Sequence, residues 1–246
     1  MSKNLVLIHG YRGSPAGLAE IGERLKEAGY NVFLPDIPPF GNSKPLEYYN
    51  RDSYADYVAD YIKENHLSKP ILIGHSMGSL VAAATAEKYP ELLDDKIIFL
   101  APISTKPPRP IAILNPLVVA LPRGFVDVTT TAFNMIPNGL ETTKKTMRLT
   151  RESSKNFTSK GDVKLAGVFS TKNSLPDFKF QKNTLLLSGT HDHLIAKKYT
   201  NTLATKLSET MPVKTTYLKG TGHLLNYEKP KETATEILNF LKVKNG

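Results

Sequence analysis

The chain has 246 residues, 40% of them hydrophobic and 22% charged, enough for a substantial core in one large α/β domain or two small ones. It contains no cysteine, which excludes a disulfide framework, a zinc–thiolate site and a cysteine nucleophile, and fits a reducing compartment. Its net charge of +9 is uneven: residues 104–183 hold 13 Lys/Arg against 5 Asp/Glu, while the remainder is close to neutral.

The first predicted element is a buried strand over residues 5–8, continuously apolar, which runs into the loop His9-Gly10-Tyr11-Arg12-Gly13-Ser14. It is too short for a signal-peptide core and no cleavage-site pattern follows it. Ser14 before Pro15 reads as an N-cap with proline at the first helical position. Leu18, Ile21 and Leu25 then repeat at helical spacing, and Gly29 ends that helix. A second strand is expected over 31–34, followed by a breaker-rich loop over 35–41. Tyr54, Val58, Tyr61 and Ile62 mark a second helix that stops near His66.

Pro70 opens the most informative stretch. Ile71, Leu72 and Ile73 form a strand expected to be covered on both faces, and Leu80, Val81 and the alanines 82–84 continue as a helix. Between them lies Gly74-His75-Ser76-Met77-Gly78. A strand-to-helix turn this tight imposes costly backbone angles, the glycines leave room for it, and the serine is pushed out above the positive end of the following helix.

A fourth strand is expected over 97–100, a fifth over 184–188 and a sixth over 213–218. Helices are marked by Tyr199, Leu203 and Leu207, and by Ile237 and Leu238. This alternation predicts a parallel sheet with helices on both faces. The exception is residues 104–183, rich in Pro, Thr and Lys, with weak helical signals best around 140–155. An insertion of that size between core strands reads as a cap over the site, which makes 1–103 and 184–246 the core domain.

The longest apolar stretch outside the strands, 111–121, is broken by Asn115 and Pro116 and is well short of the roughly 20 residues that span a bilayer. It reads as the cap's own small core or as pocket lining. A soluble, cytoplasmic protein without an integral membrane segment is therefore expected. The basic segment reads as a solvated face, or else as a field that steers an anionic substrate or acidic partner. No nucleic-acid-binding module is recognisable, so no nucleic-acid partner is expected.

A serine hydroxyl needs a base within hydrogen-bonding reach, a partner that fixes the base's tautomer, and donors ready for the oxyanion. All must come from loops at the carboxyl ends of strands. Of six histidines, His223 in Gly220-Thr221-Gly222-His223 follows the last strand and lies after every plausible acid, which matches the order nucleophile, acid, histidine. Asp192 is the carboxylate at the end of the fifth strand. Asp36 precedes the serine and reads as a loop organiser, and Asp177 falls inside the cap. The oxyanion donors expected are the backbone amides of Met77 and Tyr11, with Gly10 letting its loop pass close to the serine. His75 reads as structural, and His9-Gly10 could be a simple strand-ending turn. His191 and His193 flank Asp192, but no further ligand stands at metal-binding spacing, so neither metal nor cofactor is expected.

On His9-Gly10, the 36–41 loop, Gly74-His75-Ser76-Met77-Gly78, Gly189-Thr190-His191-Asp192 and Gly222-His223, the chain resembles the α/β-hydrolase fold superfamily along essentially its whole length. The resemblance implies a Ser76–His223–Asp192 triad, a Tyr11/Met77 oxyanion hole and a mainly helical cap at 104–183. Two departures stand out. Pro39 occupies a position where that loop often has glycine. The chain also starts at what is normally the third strand, so a six-stranded parallel sheet without the antiparallel leading edge is expected. Superfamily members with aspartate at the elbow, dehalogenases and epoxide hydrolases, do not match Ser76. Hydrolysis of a small or medium-sized carboxylic ester is the first expectation. Action on a carbon–carbon bond or an anionic metabolite, and a non-catalytic small-molecule sensor, are the alternatives, because fold and triad do not determine the reaction.

Overall fold

The computed structural model describes residues 2–11, 13–103, 148 and 178–243. Six parallel strands form one sheet in the order β2-β1-β3-β4-β5-β6. They are β1 (Asn4–Ile8), β2 (Asn31–Phe33), β3 (Ile71–His75), β4 (Lys96–Leu100), β5 (Asn183–Gly189) and β6 (Val213–Leu218). The expected six-stranded parallel sheet is what forms. The cap's apolar run at 111–121, its helical signals around 140–155 and Asp177 lie outside the described residues, apart from Arg148.

The sheet separates two hydrophobic layers because alternate strand residues point to opposite faces. Val6, Ile8, Leu72, Ile97, Phe99 and Leu186 face helices α2 (Arg51–Glu64), α3 (Met77–Lys88) and α4 (Lys197–Ser208). Leu5, Leu7, Ile71, Ile73, Ile98 and Leu187 face α1 (Pro15–Glu27), the single turn α5 (Leu225–Glu228) and α6 (Pro230–Lys242). Each such fully buried aliphatic side chain contributes roughly 1.5–3 kcal/mol. The layers explain why the central strands lack polar alternation: both faces are covered. Helix α3 is apolar all round and buried throughout its first ten residues, as a helix under a second layer must be.

Local signals explain the element ends. Helix α1 stops in a Schellman motif, with the Gly29 amide on Lys26 O and the Tyr30 amide on Leu25 O. Gly29 takes φ +92°, which no side chain bearing Cβ adopts comfortably. Ser14 does precede α1 in an extended conformation with Pro15 behind it, but its hydroxyl makes no capping bond. Its own carbonyl accepts the Gly17 amide instead. Two short elements have no counterpart in the sequence reading, α5 and a 3₁₀ turn at Pro90–Leu92.

Two buried lysines tie the base of the sheet. The Lys96 ammonium donates to the carbonyls of Leu241 and Val243 at the end of α6, where the helix dipole favours a cation. Lys182 donates to the carbonyls of Pro90 and Asp94. Residues 178–183 lie against the core: Phe178 and Phe180 pack edge-on to Phe99, with ring centroids 6.1 Å away, and Asn183 opens β5. Among the described residues, no helix is long and apolar enough to cross a membrane.

Strand order decides where a site can form. From β1 the chain moves outward to β2 on one side, then returns to β3 on the other, so the order of strand addition reverses between β1 and β3. Loops leaving the carboxyl ends at such a switch diverge and open a crevice. Here those loops carry Gly10-Tyr11 and Ser76.

Candidate active site

Ser76 is the single residue between β3 and α3. It sits at φ 53° and ψ −116°, in the left-handed half of the map that a residue with Cβ enters at a cost. Its amide donates to Leu100 O at 2.9 Å, which ties the turn to the end of β4. The reversal brings the flanking glycines into backbone contact. A Cβ on Gly74 would lie 2.3 Å from Gly78 O, and one on Gly78 would lie 2.1 Å from Ile8 O. Both distances are far inside van der Waals contact, so these positions require glycine.

Two further strand ends deliver the partners. The chain leaves β6 at Leu218 and reaches His223 through a glycine-bearing loop; it leaves β5 at Gly189 and reaches Asp192 three residues later. His223 Nε2 lies 2.9 Å from Ser76 Oγ, and His223 Nδ1 lies 2.9 Å from Asp192 Oδ2. All three side chains are buried. Asp192 Oδ1 also accepts the amides of Leu194 at 3.0 Å and Ile195 at 2.7 Å. Burial opposes ionisation of Asp192, but attraction to His223 and these hydrogen bonds outweigh it and hold the carboxyl below its ordinary value. An ionised carboxylate only accepts, so His223 Nδ1 must carry a proton. In the neutral ring Nε2 is then a bare acceptor for the Ser76 hydroxyl.

The loop after β1 lies close by. A Cβ on Gly10 would sit 3.1 Å from Ser76 Cβ and 3.1 Å from His75 O, so the Gly10–Tyr11 segment runs alongside the elbow. The Tyr11 ring packs edge-on to Phe40 at 5.7 Å. Met77 is the first residue of α3, where backbone amides point out of the helix. His191 and His193 are exposed on either side of Asp192.

Three nearby residues do more than the sequence revealed. His9 Nδ1 donates to Gly10 O, and its Nε2 accepts the Ile37 amide, both at 2.9 Å. The ring therefore joins the β1 loop to the 36–41 loop. Burial lowers its pKa to about 4. The His75 ring donates from Nε2 to the His223 carbonyl at 3.0 Å, and its pKa falls to about 3 through burial and then the nearby His223 charge. Glu228 belongs to no motif recognisable in the sequence. One carboxylate oxygen accepts the Gly222 amide at 2.7 Å and the other the Leu224 amide at 3.2 Å, the two amides that flank His223. Burial raises the Glu228 carboxyl above its ordinary value. Its only sequence signal is a carboxylate five residues after the histidine, which α5 turns back onto the loop. Asp36 accepts the Asn42 amide within its own loop.

Known proteins share this arrangement of elements. A family model described as alpha/beta hydrolase fold matches residues 3–230. A Mycoplasma pneumoniae protein whose name carries the term esterase/lipase 2 is 24% identical over 253 residues, covering 97% of this chain and 88% of that protein. Lipase 3 of Moraxella sp. is 34% identical over 90 residues, covering 35% of this chain and 28% of that protein. The matched part of the chain spans about a third of the length of the first curated relatives. Among solved structures, a thermophilic esterase from Thermogutta terrifontis superposes with a TM-score of 0.81 at 20% identity, covering 98% of this chain and 90% of that one. That last likeness is one of fold.

Proposed function

The chain belongs to the alpha/beta hydrolase fold family, and on that premise we propose that it is a serine hydrolase that cleaves a carboxylic ester of a small or medium-sized substrate through an acyl-enzyme. The observation that carries the reading is the continuous hydrogen-bonded chain from Ser76 Oγ through both nitrogens of His223 to Asp192. The relatives whose names carry the terms esterase and lipase support the ester as the bond cleaved.

In this reading His223 Nε2 takes the Ser76 proton as Oγ attacks the ester carbonyl. Asp192 holds the imidazole in the donating tautomer and stabilises the imidazolium that forms. The Met77 and Tyr11 amides receive the oxyanion of the tetrahedral intermediate. Its collapse breaks the C–O bond, and His223 returns the proton to the departing alcohol. Water, deprotonated by the same nitrogen, then attacks the acyl-serine and releases the acid. We assign the insertion expected over 104–183, which follows β4 in the sequence, the role of a cap that selects the substrate.

Substitution of Ser76 by Ala tests the reading. Hydrolysis of p-nitrophenyl acetate should fall by more than about 10⁴-fold with the circular dichroism spectrum unchanged. A fluorophosphonate probe should label the unsubstituted protein at Ser76, located by peptide mass spectrometry. Undiminished turnover in Ser76→Ala, or labelling elsewhere, rules the reading out.

A further inference from the structure

We propose that Glu228 is a positioning residue that sets the reach of His223 toward Ser76, and that it does so by gripping the main chain on both sides of the histidine. The inference rests on the serine-hydrolase reading above.

The loop that carries His223 is poorly constrained by its own sequence. It contains Gly220 at φ +66° and Gly222, and it leaves β6, which among the described residues pairs with β5 alone. Glycine gives such a loop many accessible conformations. A general base nevertheless has to stand within hydrogen-bonding distance of the nucleophile. Something outside the loop must hold it.

The ties are specific. Thr190 Oγ1 accepts the Gly220 amide, and Thr221 O accepts the His191 amide. These fasten the loop's first half to the segment bearing Asp192. Around His223 itself, the Gly222 and Leu224 amides donate to the two oxygens of Glu228, while the His223 carbonyl accepts from the His75 ring. Three main-chain polar groups, the Gly222 amide and both groups of the His223–Leu224 peptide, are thus fixed from two sides.

Glu228 is suited to this role in a way that a neutral residue is not. Two N–H groups converge on one side chain, and only a carboxylate offers two acceptor oxygens in the needed spacing. Its base is held as well. The Asn226 side chain donates to Gly17 O in α1, and the Thr233 hydroxyl of α6 lies within donating distance of the Leu225 and Lys229 carbonyls. The grip therefore rests on α1 and α6 rather than on the loop.

The test is Glu228→Gln, of equal size and able to offer one acceptor oxygen. Its amide group would face one of the two N–H donors without an acceptor. A misplacement near 1 Å at a reacting group costs about 10²-fold. With p-nitrophenyl acetate, kcat should fall by about 10–100-fold while KM stays within about twofold. Glu228→Asp, which keeps both oxygens on a shorter arm, should recover part of the loss. The low-field proton resonance of the His223–Asp192 hydrogen bond should broaden or vanish in Glu228→Gln, measured at a temperature where both proteins are folded. Wild-type kcat with the resonance intact would overturn the inference and leave the serine reading standing, even if Glu228→Gln melts earlier. Turnover that survives Ser76→Ala would overturn both.

Discussion

Replacing Asp192 with Asn separates geometry from charge. The asparagine oxygen can keep the amides of Leu194 and Ile195, which Asp192 Oδ1 accepts at 3.0 and 2.7 Å, so the loop should hold. The NH₂ group then faces His223 Nδ1 in place of the carboxylate oxygen 2.9 Å away. A donor there forces the proton onto Nε2, so the nitrogen facing Ser76 can no longer accept. The imidazolium also loses its counter-charge. Two unit charges about 4 Å apart at an effective dielectric near 20 attract by about 4 kcal/mol. At about 1.36 kcal/mol per tenfold, that alone is roughly 10³-fold in rate. With the tautomer cost added, kcat/KM for p-nitrophenyl acetate should fall by about 10³–10⁴-fold. The assay is initial-rate hydrolysis at pH 7.5 by protein whose near-ultraviolet spectrum matches wild type. A fall of less than about tenfold in folded protein would refute the argument from tautomer and charge.

Two other outcomes follow from buried groups. His9 and His75 have pKa values lowered to about 4 and about 3 from 6.5. Their unfolded forms bind protons first, so stability is full above pH 6.5 and is lost as pH falls toward the folded values. Together they should remove roughly 3 kcal/mol between pH 6.5 and 5, read from urea midpoints, and an unchanged midpoint at pH 5 would contradict the assignment. Gly78→Ala would drive a methyl group to 2.1 Å from Ile8 O and should cost about 3 kcal/mol, whereas Gly22→Ala, whose methyl group would have its nearest neighbour at 3.4 Å, should not lower Tm. Equal melting temperatures for the two variants would show that the elbow tolerates what its contacts forbid.

Most of the fold was legible because the strands are short apolar runs bounded by glycine and proline, and the helices are periodic. The elbow was legible for a steric reason: Gly-x-Ser-x-Gly states where the chain must turn too tightly for a side chain. Ser76, Asp192 and His223 can be placed at strand ends from chain order, but the distances among them depend on β3 to β6 lying side by side, which no local pattern encodes. Glu228 escaped notice because its partners are main-chain amides, and amides carry no residue signature. The single turn α5 escaped because four residues show no period. His9-Gly10 also admits a plain turn from sequence, because the partner of His9, the Ile37 amide, is 28 residues away. Residues 178–182 lay within the expected cap, yet Phe178 and Phe180 join the core, since two aromatic rings one residue apart signal burial without saying in which layer.

Main-chain bonds keep Ser76 at φ 53°, with its hydroxyl already at the bonding distance to His223. On the serine-hydrolase reading, alignment of the reacting groups would therefore demand nothing of the compound that arrives. Such a centre would not discriminate by waiting to be completed, so discrimination would fall to the threshold, to what is admitted and how it is turned on entry. Catalytic breadth and biological selectivity would then be separable properties, the first belonging to the sheet and the second to whatever guards the approach.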